Sequence, residues 1–194
     1  MAILTDQVIL KELREGQNGD GLVITPLTID QVGTSSVDVH LGHEFIVFRR
    51  ALIESLDIKQ PNLSRNVHQY QEKVRISEGD KFVLHPHQLV LGASREYIAL
   101  PTNISAIITG RSTWGRTGLV IATATKIDPG FKGCVTLELI NEGVIPLVLY
   151  PGLRVAQLVL FRTEGKSTYK GSYPFPTGPG FPKLDKELRH IKSE

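Results

Sequence analysis

One cysteine, Cys134, stands in a chain of 194 residues, so no internal disulfide framework can form and the sequence suits a reducing compartment. None of the six histidines falls in an H-x-E or HExxH arrangement, and there is no C-x-x-C, which removes the usual zinc signatures. His85 and His87 flank Pro86 and could share a strand face, but two ligands do not make a metal site, and a proline at a strand edge accounts for them more simply. No G-x-x-x-x-G-K-[ST] and no G-x-G-x-x-G occurs, so the common phosphate loops are not signalled. No stretch of apolar residues approaches membrane-spanning length, and the N-terminus lacks a basic region followed by an apolar run. The expectation is a cytoplasmic protein without a membrane partner. A net charge of +2, spread rather than striped, gives no footprint for nucleic acid. No internal repeat is evident.

What is present is ordinary globular material, 41% hydrophobic and 22% charged, enough for one domain with a real core over residues 1–194. Thr5 is placed to cap a helix running to about Glu15, with Val8, Ile9 and Leu13 as its apolar stripe and Gly16 as its stop. From Gly21 onward the pattern changes to short apolar runs punctuated by Gly, Pro, Asn and Asp, including GLVITPL, SSVDVHLG, EFIVFRR, KFVLHP, QLVLGAS and YIALP. That spacing predicts a mainly β fold, a jelly roll, sandwich or barrel. Further strands are expected at 104–108, 135–141, 147–150 and 154–161, while the polar section 54–78 reads as a long connection. Residues 162–194 are rich in Gly, Pro, Ser and Tyr; they are either a disordered terminus or a lid that orders over a ligand. Leu184, Leu188 and Ile191 would suit a short amphipathic helix at its end.

Two places carry polar residues that a bland core would not need. In GRSTWGR, Arg111, Ser112 and Arg116 crowd beside Gly110, Gly115 and Gly118, so guanidiniums, a hydroxyl and backbone amides can converge on an anion such as phosphate. An ordinary turn bearing solvated arginines is the plain alternative. Further on, Cys134, Thr136, Glu138 and Ile140 alternate with Val135, Leu137 and Leu139 along an expected strand. A carboxylate at Glu138, flanked by leucines, is costly unless it is paired or faces a wet cleft, where it could move protons. The alternative is an edge strand in plain solvent. Cys134 itself, with no histidine nearby in sequence, reads as a small buried hydrophobe.

Taken together, LTDQVILKELREG, SSVDVHLGHEFIVF, FVLHPHQLVLG, GRSTWGR, IDPGFKGCVTLELIN and LYPGLRVAQLVLF, in that order and spacing, resemble the dCTP deaminases of the trimeric dUTPase superfamily. The resemblance implies a distorted β jelly roll assembled as a homotrimer, with active sites at subunit boundaries and no zinc. It implies deamination of dCTP to dUTP and ammonia, with extension at the same site to dUMP and diphosphate in the bifunctional type and not in the monofunctional one. Glu138 matches the glutamate that activates water and returns protons to ammonia; Ser112 and Arg116 match residues that position them. Arg111, Ser112 and Thr113 fall where the triphosphate is held. Asp128 matches the aspartate that binds the deoxyribose 3′-hydroxyl and activates water for phosphate hydrolysis. Thr123 and Ala124 fall where backbone groups read the base, and Gln157 matches a glutamine that contacts the nucleotide. In the tail, Tyr169 or Tyr173 takes the place of a nucleotide-binding tyrosine, with Lys170 standing in for a lysine. Mg²⁺ is implied, held through the triphosphate, and dTTP is implied as a feedback inhibitor. Gly115 matches the bifunctional type. Thr113 and Trp114 replace a serine and a leucine, and the segment 119–126 is one residue shorter than in relatives and lacks their histidine. A dUTPase alone, and a non-catalytic nucleotide-binding regulatory trimer, are the alternatives.

Overall fold

The computed structural model describes residues 2–16, 21–49, 55–57, 59, 63–122 and 126–184. In chain order the elements are β1 (Ala2–Ile3), α1 (Asp6–Gly16), β2 (Val23–Thr25), β3 (Val37–His40) and β4 (Glu44–Phe48). There follow α2 (Leu63–His68), β5 (Gln71–Arg75), β6 (Phe82–Leu84), β7 (Leu89–Ala99), β8 (Ile104–Gly110) and α3 (Ser112–Gly115). The chain continues through β9 (Leu119–Ile121), β10 (Lys126–Ile127), β11 (Lys132–Asn141), β12 (Leu147–Leu149) and β13 (Arg154–Arg162).

The mainly β expectation holds, and the strands form antiparallel sheets of a jelly-roll kind. One sheet runs β1-β13-β8-β10, with β3 also paired to β13; the other runs β5-β4-β7-β11-β9, with β2 also paired to β7. β6 and β12 form a separate two-stranded ladder, and the described strands close no barrel. Both sheets turn apolar residues into one core, Val39, Ile108 and Leu158 from the first and Phe45, Ile98 and Leu137 from the second. Phe45 also stacks on Phe82, ring centroids 4.4 Å apart. The expected N-terminal helix is α1, which buries Ile9 and rests Val8 and Leu13 on the core. It stops where the chain must turn back tightly: a Cβ on Gly16 would lie 2.1 Å from the Leu22 carbonyl oxygen. No helix of the described residues is long and apolar enough to cross a membrane.

Three local expectations are corrected. QLVLGAS and YIALP are one eleven-residue strand, β7, because the polar residues between them are satisfied inside the fold. Ser94 Oγ accepts from Val135 N at 2.8 Å, and buried Glu96 accepts from His40 N at 3.0 Å and Gln31 Nε2 at 3.1 Å. The section 54–78 is no bare connection, since it holds α2 and β5, the latter a charged edge strand laid along β4. His85 and His87 sit in a turn, not on one strand face: Gln88 N donates to the His85 carbonyl at 3.1 Å, and His87 is left-handed at φ 60°. The expected C-terminal helix at Leu188 and Ile191 lies outside the described residues.

Candidate active site

Strand β11 carries the first candidate side chain because its two faces differ. Val135, Leu137 and Leu139 are buried in the core, and Thr136, Glu138 and Ile140 are partly exposed on the other side. Glu138 lies opposite Leu91 of β7, and its carbonyl accepts from Ala122 N at 2.9 Å. The face so formed is one wall of a cavity of about 440 Å³, a size suited to a small organic ligand. Its surface is mainly apolar, with Leu89, Leu91, Phe48 and Ile108 among the lining residues, and Glu138 and Asp128 are its two carboxylates among the described residues.

Asp128 reaches this cavity from the end of β10. It opens a turn in which Phe131 N donates to the Asp128 carbonyl at 3.2 Å, while its carboxylate pairs with the Lys126 ammonium at 2.8 Å. The turn needs a glycine at its third position. Gly130 has φ +76°, and a Cβ there would press within 3.0 Å of Tyr169 N.

That contact belongs to the tail, which runs as a strap without regular secondary structure along the cavity. Tyr169 sets its ring edge-on to Phe131, centroids 5.4 Å apart, and its hydroxyl accepts from Tyr173 N at 3.2 Å. Cys134 N donates to the Pro176 carbonyl at 2.7 Å, and Gly180 N donates to Thr136 Oγ at 3.1 Å, so the strap borrows hydrogen bonds from β11. Gly133 permits the approach: a Cβ there would stand 2.3 Å from Pro176 Cδ. Tyr169 and Tyr173 both line the cavity, whereas Lys170 is exposed and does not. Burial pushes the Cys134 thiol above its ordinary pKa, with Glu96 and Glu44 adding to the effect, so it is a poor nucleophile at neutral pH.

The arginine segment lies elsewhere. Residues 112–115 form the helical turn α3, pinned by the Trp114 indole N–H, which donates to the Arg154 carbonyl at 2.7 Å. Ser112, Thr113 and Arg116 point into solvent and line no part of the cavity. Arg111 is half-buried and ion-paired with Asp38, and Gln157 Nε2 donates to the same carboxylate at 3.2 Å. Arg154 stands 3.5 Å from Asp38 and also pairs with Asp30, whose carboxyl is held below its ordinary pKa by Thr28 and Arg154. Within one chain, then, the structure brings Glu138, Asp128, Tyr169 and Tyr173 together. It gathers Arg111 and Gln157 at Asp38, beside α3. Thr123 and Ala124 lie outside the described residues.

Two residues escaped the sequence reading. Asp38, in SSVDVHLG, looked like one polar step of an alternating strand. Gln71, on the cavity wall, sits in a stretch too polar to suggest a strand. Asn141 is fully buried and spends its amide on structure: Nδ2 donates to the carbonyls of Leu84 and Ile145 at 3.0 and 2.8 Å, and Oδ1 accepts from Gly143 N at 2.9 Å. Among the described residues no group of three or more His, Cys, Asp or Glu side chains is placed to hold a metal ion.

A family model described as dCTP deaminase-like matches residues 3–163. A "dCTP deaminase, dUMP-forming" of Methanobrevibacter smithii is 39% identical over 197 residues, covering 100% of this chain and 94% of that protein. A "dCTP deaminase" of Halorubrum lacusprofundi is 41% identical over 186 residues, covering 94% of this chain and 87% of that protein. Among solved structures, the 2′-deoxycytidine 5′-triphosphate deaminase of Agrobacterium tumefaciens matches with a TM-score of 0.60 at 23% identity, over 81% of this chain and 47% of that one. That last likeness is one of fold.

Proposed function

The chain belongs to the dCTP deaminase-like family, and on that premise we propose that it hydrolyses dCTP to dUTP and ammonia without zinc, then dUTP to dUMP and diphosphate at the same site. One observation carries the reading: Glu138 and Asp128 project into a single, largely apolar cavity roofed by an aromatic strap. Excluding water from such a space strengthens every charge–dipole interaction inside it.

In the first reaction Glu138 takes a proton from water as its oxygen bonds to C4 of cytosine, and passes that proton to N3. It then relays the proton of the new C4 hydroxyl to the amino group, which leaves as ammonia, and C4 becomes the carbonyl of uracil. Atoms balance with one water consumed. In the second reaction Asp128 orients the water that attacks the α-phosphorus, and diphosphate departs. Both carboxylates act in turn on one bound nucleotide, without its release between steps.

A magnesium ion needs no protein cage for this role. It would be carried by the triphosphate rather than by protein ligands, and would supply charge neutralisation there. dTTP shares the sugar, the phosphates and the C4 carbonyl of dUTP and differs by its C5 methyl group, and it would compete for the site as a feedback inhibitor.

The exposed residues of α3 fit the same reading through a second subunit. In a homotrimer, Ser112 and Arg116 of one chain would meet Glu138 of its neighbour, with Arg111 and Thr113 at the triphosphate. Gln157, Tyr169, Tyr173 and Lys170 complete the set of proposed contacts, and Thr123 and Ala124 would read the base through their backbone.

Incubating the protein with dCTP and Mg²⁺ and separating the products by anion exchange tests the proposal. Ammonia with dUMP and diphosphate is expected. No ammonia and no uracil nucleotide would sink it; dUTP hydrolysis without dCTP consumption would favour a dUTPase alone, and tight binding without turnover a regulatory trimer.

A further inference from the structure

Gln71 is 8% exposed, and both ends of its carboxamide are buried without a hydrogen-bond partner. Such a group is desolvated with nothing gained in return, so a leucine of similar volume would make the free protein more stable. The side chain is held at the cavity wall by β5. Gln71 pairs with Phe48, and cross-strand partners point to the same side of a sheet. Following that side through Ile46 to Leu91 and on to Glu138 places Gln71 and Glu138 on one face. Between them the wall is hydrocarbon, namely Phe48, Leu89 and Leu91, and offers the amide nothing.

We propose that the Gln71 carboxamide is a specificity determinant of the nucleotide site, pairing with the uncharged base-and-sugar part of the ligand. The proposal rests on the functional reading above. A carboxamide presents one donor edge and one acceptor edge side by side, which matches the alternating polar edge of a pyrimidine or a sugar hydroxyl. The phosphates are the wrong partner. Lys126, the sole cation among the described lining residues, is already paired with Asp128, and a polyanion pushed against this hydrocarbon wall would be desolvated without compensation. The charged end of the ligand therefore stays toward the mouth, and the amide meets the neutral end.

The test compares Gln71→Leu and Gln71→Met, the second keeping the side chain's length without its donors and acceptor. Both are made in the full chain, and also with Glu138→Gln so that binding is measured without turnover. Melting of the ligand-free protein is expected to be unchanged or higher in the variants. Calorimetric Kd values for dCTP and for phosphate-free 2′-deoxycytidine should both weaken by about tenfold or more, as expected when a site's hydrogen-bonding partner is removed. Affinity for inorganic triphosphate should not change. A variant that melts markedly lower without ligand would show that the amide has an internal partner, and overturns the proposal. So would unchanged affinity for both cytosine ligands. Failure of the underlying functional reading shows separately, as a wild-type protein that releases no ammonia from dCTP.

Discussion

Two polar regions of this molecule are built in opposite ways. In the cavity, two carboxylates stand in a wall of leucine and phenylalanine under an aromatic strap. At α3, the arginine-rich turn stands in solvent, and its one half-buried guanidinium is already neutralised by Asp38. A carboxylate set among leucines suits proton transfer, and an accessible cluster of donors suits phosphate binding, so Glu138 and α3 each fit one half of the chemistry. Neither suffices alone. In the proposed trimer the two regions would meet across a subunit boundary, since a single chain leaves Ser112, Thr113 and Arg116 away from the cavity.

That contrast can be broken at its strongest point first. Glu138→Gln should bind nucleotide yet lose roughly 10²–10⁴-fold in the rate of ammonia release, because it removes the proton-transfer group; normal turnover would refute the mechanism. Next, chains carrying Glu138→Gln and chains carrying Arg116→Ala should each be nearly inactive alone. Random mixing after unfolding and reassembly should restore about a quarter of wild-type turnover, since one site in four then pairs an intact cavity with an intact α3. No recovery would place both halves within one chain. A smaller effect is expected at the strap. Gly133→Ala drives a methyl group into Pro176, so kcat/KM for dCTP should fall about tenfold, some 1.4 kcal/mol, with faster proteolytic cleavage after Lys166 or Lys170. Unchanged proteolysis would mean that the strap is not anchored there.

The smallest effect concerns the foot of the strap, where Gly178 packs against Glu44. The Lys73 ammonium, hydrogen-bonded at 2.9 Å, holds the Glu44 carboxyl below its ordinary pKa of 4.5, with Arg75 assisting. A depressed carboxyl stabilises the fold above its unfolded pKa and loses that contribution as pH falls through the folded value. Glu44→Gln should therefore cost under about 1 kcal/mol at neutral pH, and the two melting curves should converge on acidification. Divergence toward acid would contradict the assigned ion pair.

Much of this was legible beforehand, where side-chain periodicity and burial agree. The alternation from Val135 to Leu139 located Glu138 on the partly exposed face of its strand, and the run from Thr5 to Gly16 gave α1. Legibility failed where polar residues are satisfied by distant ones. Ser94 and Glu96 look like a break in β7, yet their partners are Val135, His40 and Gln31, which no local pattern discloses. β5 reads as loop because its charged residues pair across the strand, Lys73 with Glu44 and Glu72 with Arg49. The Arg111–Asp38 pair joins residues far apart in sequence, so the segregation of α3 from the cavity could not be read from the motif.

β7 pairs with β11 along one edge and with β2 and β4 along the other, so Leu91 cannot open without disturbing two ladders. Its amides should be among the slowest to exchange with deuterium, those of the strap, held by a few isolated hydrogen bonds, among the fastest. The same ligand would thus rest on the least yielding part of the protein and be covered by the most yielding. Entry would then depend on the roof, and a substitution in the floor would change how fast a ligand leaves rather than how fast it enters.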